Sequence, residues 1–205
     1  RVAAGQLDNQ IDVVGQDEAA VLMGALNRMQ GELKAKIETE RKAAQETLRI
    51  KVALDVTSNS VMVADPDSKI IYCNNSVLEM MRKAEADLRK QLPNFRADAI
   101  LGSSFDIYHK NPAHQRNVLG SLKGVHRTEI TVGDRYFSLV ACPIISETGE
   151  RLGTAVEWRD RTAEVNIEQE VASIISSAAS GDFSRRLDTD QMTGFFRQIS
   201  DGINN

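Results

Sequence analysis

The sequence predicts an α+β fold: one five-stranded antiparallel sheet with helices on one face, set between long flanking helices. Three observations carry this. The middle of the chain reads strand, strand, helix, helix, strand, strand, strand over roughly 110 residues, with turn residues between the strands. The segment before it steps its apolar residues by three or four. The two ends resemble each other, "AAGQLDNQID" at Ala3–Asp12 and "ASGDFSRRLD" at Ala179–Asp188.

Each terminal copy reads as a helix that stops at a glycine, Gly5 or Gly181, where positive φ is tolerated. An extended connector follows, whose apolar residues Leu7 and Ile11, or Phe183 and Leu187, fold back onto a helical core. After the first copy, Asp17 and Glu18 favour a helix start through the dipole. Leu22, Leu26, Met29, Leu33 and Ile37 then form the seam of a self-associating helix, continued more weakly by Glu40, Ala44 and Leu48. Glu32, Lys34, Lys36, Glu38, Arg41 and Lys42 form its solvated face.

From about Val52 the period changes. "SVMVADPDSKIIYCN" reads strand, turn at Pro66-Asp67, strand. "SVLEMMRKAEADLRKQL" is helical, with Ser76 as the expected N-cap. "NPAHQRNVLGSLKG" is a short helix capped by Asn111, with Pro112 at its first position and an end at Gly124. "VHRTEITV", "RYFSLVACPII" and "RLGTAVEWRD" are strands, separated by turns at Gly133-Asp134 and Thr148-Gly149. Alternation along the last strand sets Leu152, Thr154, Val156 and Trp158 on one face, against Ala155, Glu157 and Arg159 on the other.

A net charge of -4 and a pI of about 5.5 give no basic surplus for nucleic acid. Cys73 and Cys142 lie in apolar strands and read as buried free thiols. No apolar run is long enough to span a bilayer. Gly-rich phosphate loops, nucleophile–base pairs and metal-spaced clusters beyond the two histidines are not evident, so no catalytic chemistry is expected. The opening, without a methionine and partway into a motif, suggests a cytoplasmic segment of a longer protein, either soluble or anchored in the inner membrane.

Gly-x-Leu-x-x-x-Ile, then Asp-Glu, then "ALNRM" resembles the second half of a HAMP domain, a dimeric helical relay of bacterial chemoreceptors and sensor kinases. The helix from Val165, the second connector and "GFFRQISDGIN" resemble the start of another. The middle resembles a PAS domain, and Asp160-Arg161-Thr162 resembles the Asp-x-Thr signature that hands the PAS sheet to an output helix. The expected organisation is a HAMP end at 1–30, a coiled-coil linker at 31–51, PAS at 52–162, and an output helix with a HAMP start at 163–205.

Within the PAS family, "HKNPAHQR" and "VEWRDRT" are similar to the heme-binding PAS domains of aerotaxis-type chemoreceptors. That resemblance implies heme b, with His109 as the iron ligand, His114 as a neighbour, and Trp158 donating to bound O2. Leu139 and Val156 would line the pocket, with Val61, Val63, Leu101, Ile107, Leu119 and Leu122 as further candidates. Arg116 and Lys123 are candidates for the propionates. His126 reads as an edge or solvated residue. Asp160 and Thr162 would relay the signal, and the implied partners are a second copy, a diatomic gas (O2), and a downstream chemoreceptor signalling domain with its histidine kinase. Two other readings stay open: a PAS without cofactor, or with a small organic ligand, acting as a dimerisation and relay module; and a flavin-binding PAS.

Overall fold

The computed structural model describes residues 18–182, together with Leu7, Arg197, Gln198 and Gly202. The first connector, apart from Leu7, and the second beyond Asp182 lie outside the described residues, as does the helix proposed from Gly194 onward, apart from Arg197, Gln198 and Gly202. The chain divides into two compact units, Arg1–Asp55 and Val56–Asn205.

The first unit contains α1, one helix of 38 residues from Glu18 to Asp55. At about 1.5 Å per residue it is a rod of about 57 Å. Glu18 supplies the acidic first turn that the sequence predicts. The Thr39 and Thr47 hydroxyls donate back to the Ala35 and Ala43 carbonyls, which lets two β-branched residues sit in the rod. The seam residues Leu22, Met29, Leu33, Ile37 and Leu48 stay exposed.

The second unit is built on β1 (Ser60–Ala64), β2 (Ile70–Cys73), β3 (His126–Val132), β4 (Arg135–Ile145) and β5 (Arg151–Asp160). The strand order is β2-β1-β5-β4-β3 and every neighbouring pair is antiparallel. The last strand in sequence is therefore the middle strand of the sheet. Helices α2 (Asn75–Leu88) and α3 (Pro112–Gly120) follow β2, with short 3₁₀ turns at Ala97–Ala99 and Phe105–Tyr108 between them. Helix α4 (Thr162–Ala179) continues from β5, and its end at Gly181, φ +89°, falls where the sequence places it.

Two helix boundaries differ from expectation. The N-cap of α2 is Asn74, whose Oδ1 accepts from Val77 N at 3.1 Å. Asn74 wins because it also accepts from Val61 N at 2.9 Å and donates to the Asn59 carbonyl at 2.7 Å, tying the helix to β1 from a fully buried position. Ser76 lies inside the first turn and donates to the Ser58 carbonyl. Helix α3 closes at Gly120 rather than Gly124, because the Ser121 and Leu122 amides already turn back onto Asn117 and Leu119.

The core lies between sheet and helices: Met62, Ile70, Val77, Met81, Leu88, Phe95, Ile100 and Phe137. Gly133 adopts φ +60° in the β3–β4 turn, and a Cβ there would run into the Asp87 carbonyl oxygen. Only glycine lets the turn close against the end of α2, where Gln91 Oε1 accepts from Gly133 N.

Candidate functional site

A cavity of about 580 Å³ opens between the inner sheet face and the segment from Phe105 to Leu119. That size falls within the range of about 300–1,000 Å³ usual for small-molecule sites. Its floor comes from β1, β5, β4 and β3, with Met62, Thr154, Val156, Trp158, Leu139 and Thr128 lining it. Its helical wall carries Phe105, Tyr108, His109 and His114.

His109 is placed by two local signals. The Ser104 hydroxyl accepts from Asp106 N and starts the 3₁₀ turn, while the Asn111 side chain accepts from His114 N and starts α3. His109 sits between them in extended backbone, φ -117° and ψ 133°. Its Nδ1 lies 2.7 Å from the Phe105 carbonyl oxygen. A carbonyl oxygen only accepts, so Nδ1 carries the proton and the lone pair is on Nε2. The ring is further held edge-on against Phe105, with centroids 5.7 Å apart at 80°. A neutral imidazole with Nδ1–H tied to backbone and Nε2 free is the form that ligates a metal.

Opposite, Trp158 lies near the end of β5, paired with Leu139 on β4 and packed edge-on against Phe137 at 5.7 Å. Its Nε1 is buried and has no hydrogen-bond partner among the described residues. Leaving a buried donor unmet costs about 1–3 kcal/mol. Trp158 lines the cavity together with Tyr108 and His109, and neither of them accepts from its N–H.

The structure thus brings together His109, His114, Trp158, Leu139, Val156 and Leu119, all expected at the site. It does not bring in the rest. Val61 and Val63 face away, because Ser60, Met62 and Ala64 are the buried set of β1, and a parity shift of one residue exchanges the two faces. Leu101 and Ile107 are exposed, and Leu122 does not reach the cavity. Leu152, expected inward with Thr154, is also exposed. Arg116 pairs with Asp106 at 3.4 Å instead of lining the cavity, and Lys123 is solvent-facing. His126 is an edge-strand residue as expected, yet it shares the inward face of β3 with Thr128 and Ile130. All three histidines of the chain therefore border the cavity. Strict alternation from Ile130 would have revealed this. Phe105 and Tyr108 were also missed; their spacing of three aligns them in a 3₁₀ turn. Among the described residues no group of three or more His, Cys, Asp or Glu could hold a metal ion. Cys73 is buried as expected, its thiol pushed up to about 11 by burial; Cys142 is half-buried.

The junction to α4 is built from side chains. Asp160 Oδ1 accepts from the Thr162 amide at 2.9 Å and from the Thr162 hydroxyl, and that hydroxyl accepts from Tyr136 N at 3.0 Å. Arg135 forks between Asp160 Oδ2 at 3.1 Å and Asp87 Oδ2 at 2.7 Å, joining the end of α2 to the end of β5. The Arg135 hydrogen bond holds the Asp87 carboxyl below its ordinary range, with Lys90 adding to the effect. Arg161 bridges Glu129 on β3 and Glu168 on α4.

A five-stranded antiparallel sheet with a helical wall over a ligand-sized cavity, handing its central strand to an outgoing helix, defines a sensory PAS domain. Residues 48–112 match the PAS domain family model and residues 1–35 the HAMP domain model. The chain is 46% identical over 181 residues to the methyl-accepting chemotaxis protein McpB of Pseudomonas aeruginosa. That match covers 88% of this chain and 26% of the relative, so the chain spans about a quarter of that protein's length. The chain thus carries matches to the HAMP and PAS domain models and is similar over most of its length to a sensory and signalling stretch of a chemoreceptor. Among solved structures, it is 32% identical to the Aer2 receptor from Vibrio cholerae, described as a dual PAS-heme oxygen sensor (TM-score 0.46; 50% of this chain, 93% of that one). It is 18% identical to the PAS domain of Bordetella pertussis BvgS (TM-score 0.42; 65% and 98%). Among the described residues no helix is long and apolar enough to cross a membrane.

Proposed function

We propose that the PAS unit binds heme b through His109 Nε2, senses O2 or a related diatomic gas, and passes its state through Asp160 and Thr162 into α4. The observation that carries this reading is the pair of groups facing each other across one cavity. His109 offers a lone pair with its tautomer fixed, and Trp158 offers a buried N–H with no acceptor. Heme would supply an iron with one position left for a gas whose bound form carries partial negative charge.

This chain's residues do the rest. The Phe105 carbonyl orients the imidazole. Leu139, Val156 and Met62 exclude water from the face of the cavity. Trp158 donates to the ligand's acceptor atom, preferring a polarised O2 over a less polar gas. His114, His126 and Lys110 border the cavity with cationic or donor groups suited to a dicarboxylate edge, in place of Arg116 and Lys123.

The proposed organisation remains a HAMP end at 1–30, a linker at 31–51, PAS at 52–162 and a HAMP start from 163. The exposed seam of α1 supports a homodimer, since a rod of this length gains its stability from a packed apolar face. The outgoing helix would act on a downstream chemoreceptor signalling domain and, through it, a histidine kinase. No catalytic step is assigned to these residues.

The test is spectroscopic. The chain expressed with a heme supply should show a Soret band that shifts with O2 and CO, and His109→Ala should abolish it. A colourless, stable dimer would replace this reading with a cofactor-free relay. A flavin spectrum would replace it with a redox sensor.

A further inference from the structure

Helix α3 is the part of the cavity wall with the least to hold it. None of its nine residues is buried, although it presents His114, Gln115, Val118 and Leu119 to the cavity. A helix this short does not persist without support from the rest of the fold. Its first turn is fastened to the segment that carries His109. The Asn111 side chain accepts from His114 N at 3.1 Å, and Arg116 pairs with Asp106 at 3.4 Å. These bonds join α3 to the Phe105–Tyr108 turn and not to the sheet.

The far end of α3 is tied to the sheet by a single side chain. Arg151, the first residue of β5, donates from Nη2 to the Leu119 carbonyl at 2.6 Å and from Nη1 to the Leu122 carbonyl at 3.3 Å. Among the described residues no other hydrogen bond or ion pair joins residues 112–122 to a strand. The guanidinium is seated from the cavity floor, because Nη2 also donates to Thr154 Oγ1 at 2.8 Å. Thr154 is itself 5% exposed and lines the cavity. A cation is favoured at the carbonyl end of a helix, where the dipole is negative. The planar fork of Arg151 engages two carbonyls and a hydroxyl at once, which a lysine cannot do.

We infer that α3 is a lid over the cavity, latched shut by Arg151, which opens by releasing its Leu119–Leu122 end while its Asn111 end stays fastened. Opening parts Val118 and Leu119 from the Thr154 side of the floor and leaves the bonds that orient His109 intact. A bulky ligand can then enter or leave without disturbing the imidazole. That this ligand is heme rests on the reading given above. The lid and its latch rest only on the bonds named here. Arg151 is thus a positioning residue for the cavity wall and touches no ligand itself.

The test is native-state amide hydrogen exchange on the full chain without heme, wild type against Arg151→Met. Methionine keeps an apolar stem and removes every donor. Once unlatched, so short a helix loses its own hydrogen bonds, and its amides report the opening. A charged donor on a carbonyl biases an equilibrium by about 10- to 100-fold. The amides at 116–121 should exchange faster by about that factor, with those of β1 and β4 within about threefold of wild type. Arg151→Lys, which keeps the charge and loses the fork, should fall between the two and serves as the second variant. In heme-loaded protein, transfer of heme to an excess of a heme-binding acceptor should speed up by a similar factor in Arg151→Met, with the absorption spectrum unchanged. An unchanged rate at 116–121, or a rise shared equally by the core strands, would overturn the latch. Heme loss at the wild-type rate beside faster α3 exchange would overturn α3 as the way in and out. Faster exchange confined to α3 in a chain that takes up no heme would establish the latch and end the cofactor reading.

Discussion

Replacing Trp158 with Phe isolates one atom pair. Phe keeps an aromatic ring against Phe137, where the rings meet edge-on at 5.7 Å, and removes the indole N–H. Among the described residues that N–H has no partner, so its removal relieves a penalty of about 1–3 kcal/mol. The lost half-ring costs a similar amount, because cavity-forming core truncations run to a few kcal/mol. The two terms oppose, and the thermal midpoint without ligand should move by only a few degrees. In the liganded protein the balance is one-sided. A hydrogen bond to a charged or strongly polarised acceptor is worth about 1.5–3 kcal/mol, and each 1.4 kcal/mol is tenfold. The O2 dissociation constant should therefore rise by about 10- to 150-fold, mostly through a faster off-rate. CO, a weaker acceptor, should lose much less. Trp158→Leu should do the same to O2 while also loosening the packing. The assay is stopped-flow O2 release and CO replacement on heme-loaded protein, beside a thermal melt of the heme-free chain. An O2 off-rate within about threefold of wild type, with heme fully bound, would refute the donor role. A large loss of heme-free stability would refute the claim that the N–H is unsatisfied there.

Thr162→Val keeps the shape and removes the hydroxyl that joins Asp160 to Tyr136 N. It should cost about 1–2 kcal/mol of stability, leave O2 affinity nearly unchanged, and flatten the output of the full receptor; gas-dependent kinase control at wild-type amplitude would remove Thr162 from the relay. Asp87 gives a pH signature. Its folded-state carboxyl lies below the ordinary value, chiefly through Arg135, so its contribution is present above the unfolded pKa and is lost as pH falls through the lower folded value. Urea melts of wild type and Asp87→Asn should therefore differ by a constant amount at neutral pH and converge below about pH 4; curves that stay parallel into acid would contradict the assignment.

The parts of the fold that follow local rules are readable in the chain. The Asn111-Pro112 start of α3, the turn at Gly133 and the inward set Thr154, Val156 and Trp158 each follow from the chemistry of one residue or from strict alternation. The β1 face is not readable that way, because "SVMVA" has apolar side chains on both sides and nothing local fixes its parity. The α2 cap is not readable either. Asn74 and Ser76 are both good caps, and the choice is made by bonds from Asn74 to Val61 and Asn59 that exist only once β1 is in place. His109 could be singled out because a cap on each side leaves it in extended backbone. Its tautomer, and the empty donor of Trp158, needed the cavity itself.

The position of β5 explains how a small change in this cavity reaches the outgoing helix. Being central, it is gripped on both sides: Trp158 is opposite Ser60 on β1 and Leu139 on β4. Two residues further on, Asp160 makes the bonds that start α4, so the Trp158 indole and the junction carboxylate share one short run of stiff, hydrogen-bonded backbone. The other oxygen of Asp160 is held by Arg135, whose second bond reaches Asp87 at the end of α2, next to the core residue Leu88. A guest that displaces either Trp158 or α2 therefore strains the same arginine fork, from opposite ends. Couplings of this kind run to about 1–3 kcal/mol, enough to tip a helical pair whose two packings are nearly equal in energy and too little to force one that is not. The weak apolar stripe of α1, exposed along its length, is the kind of surface on which so small a bias can be decisive.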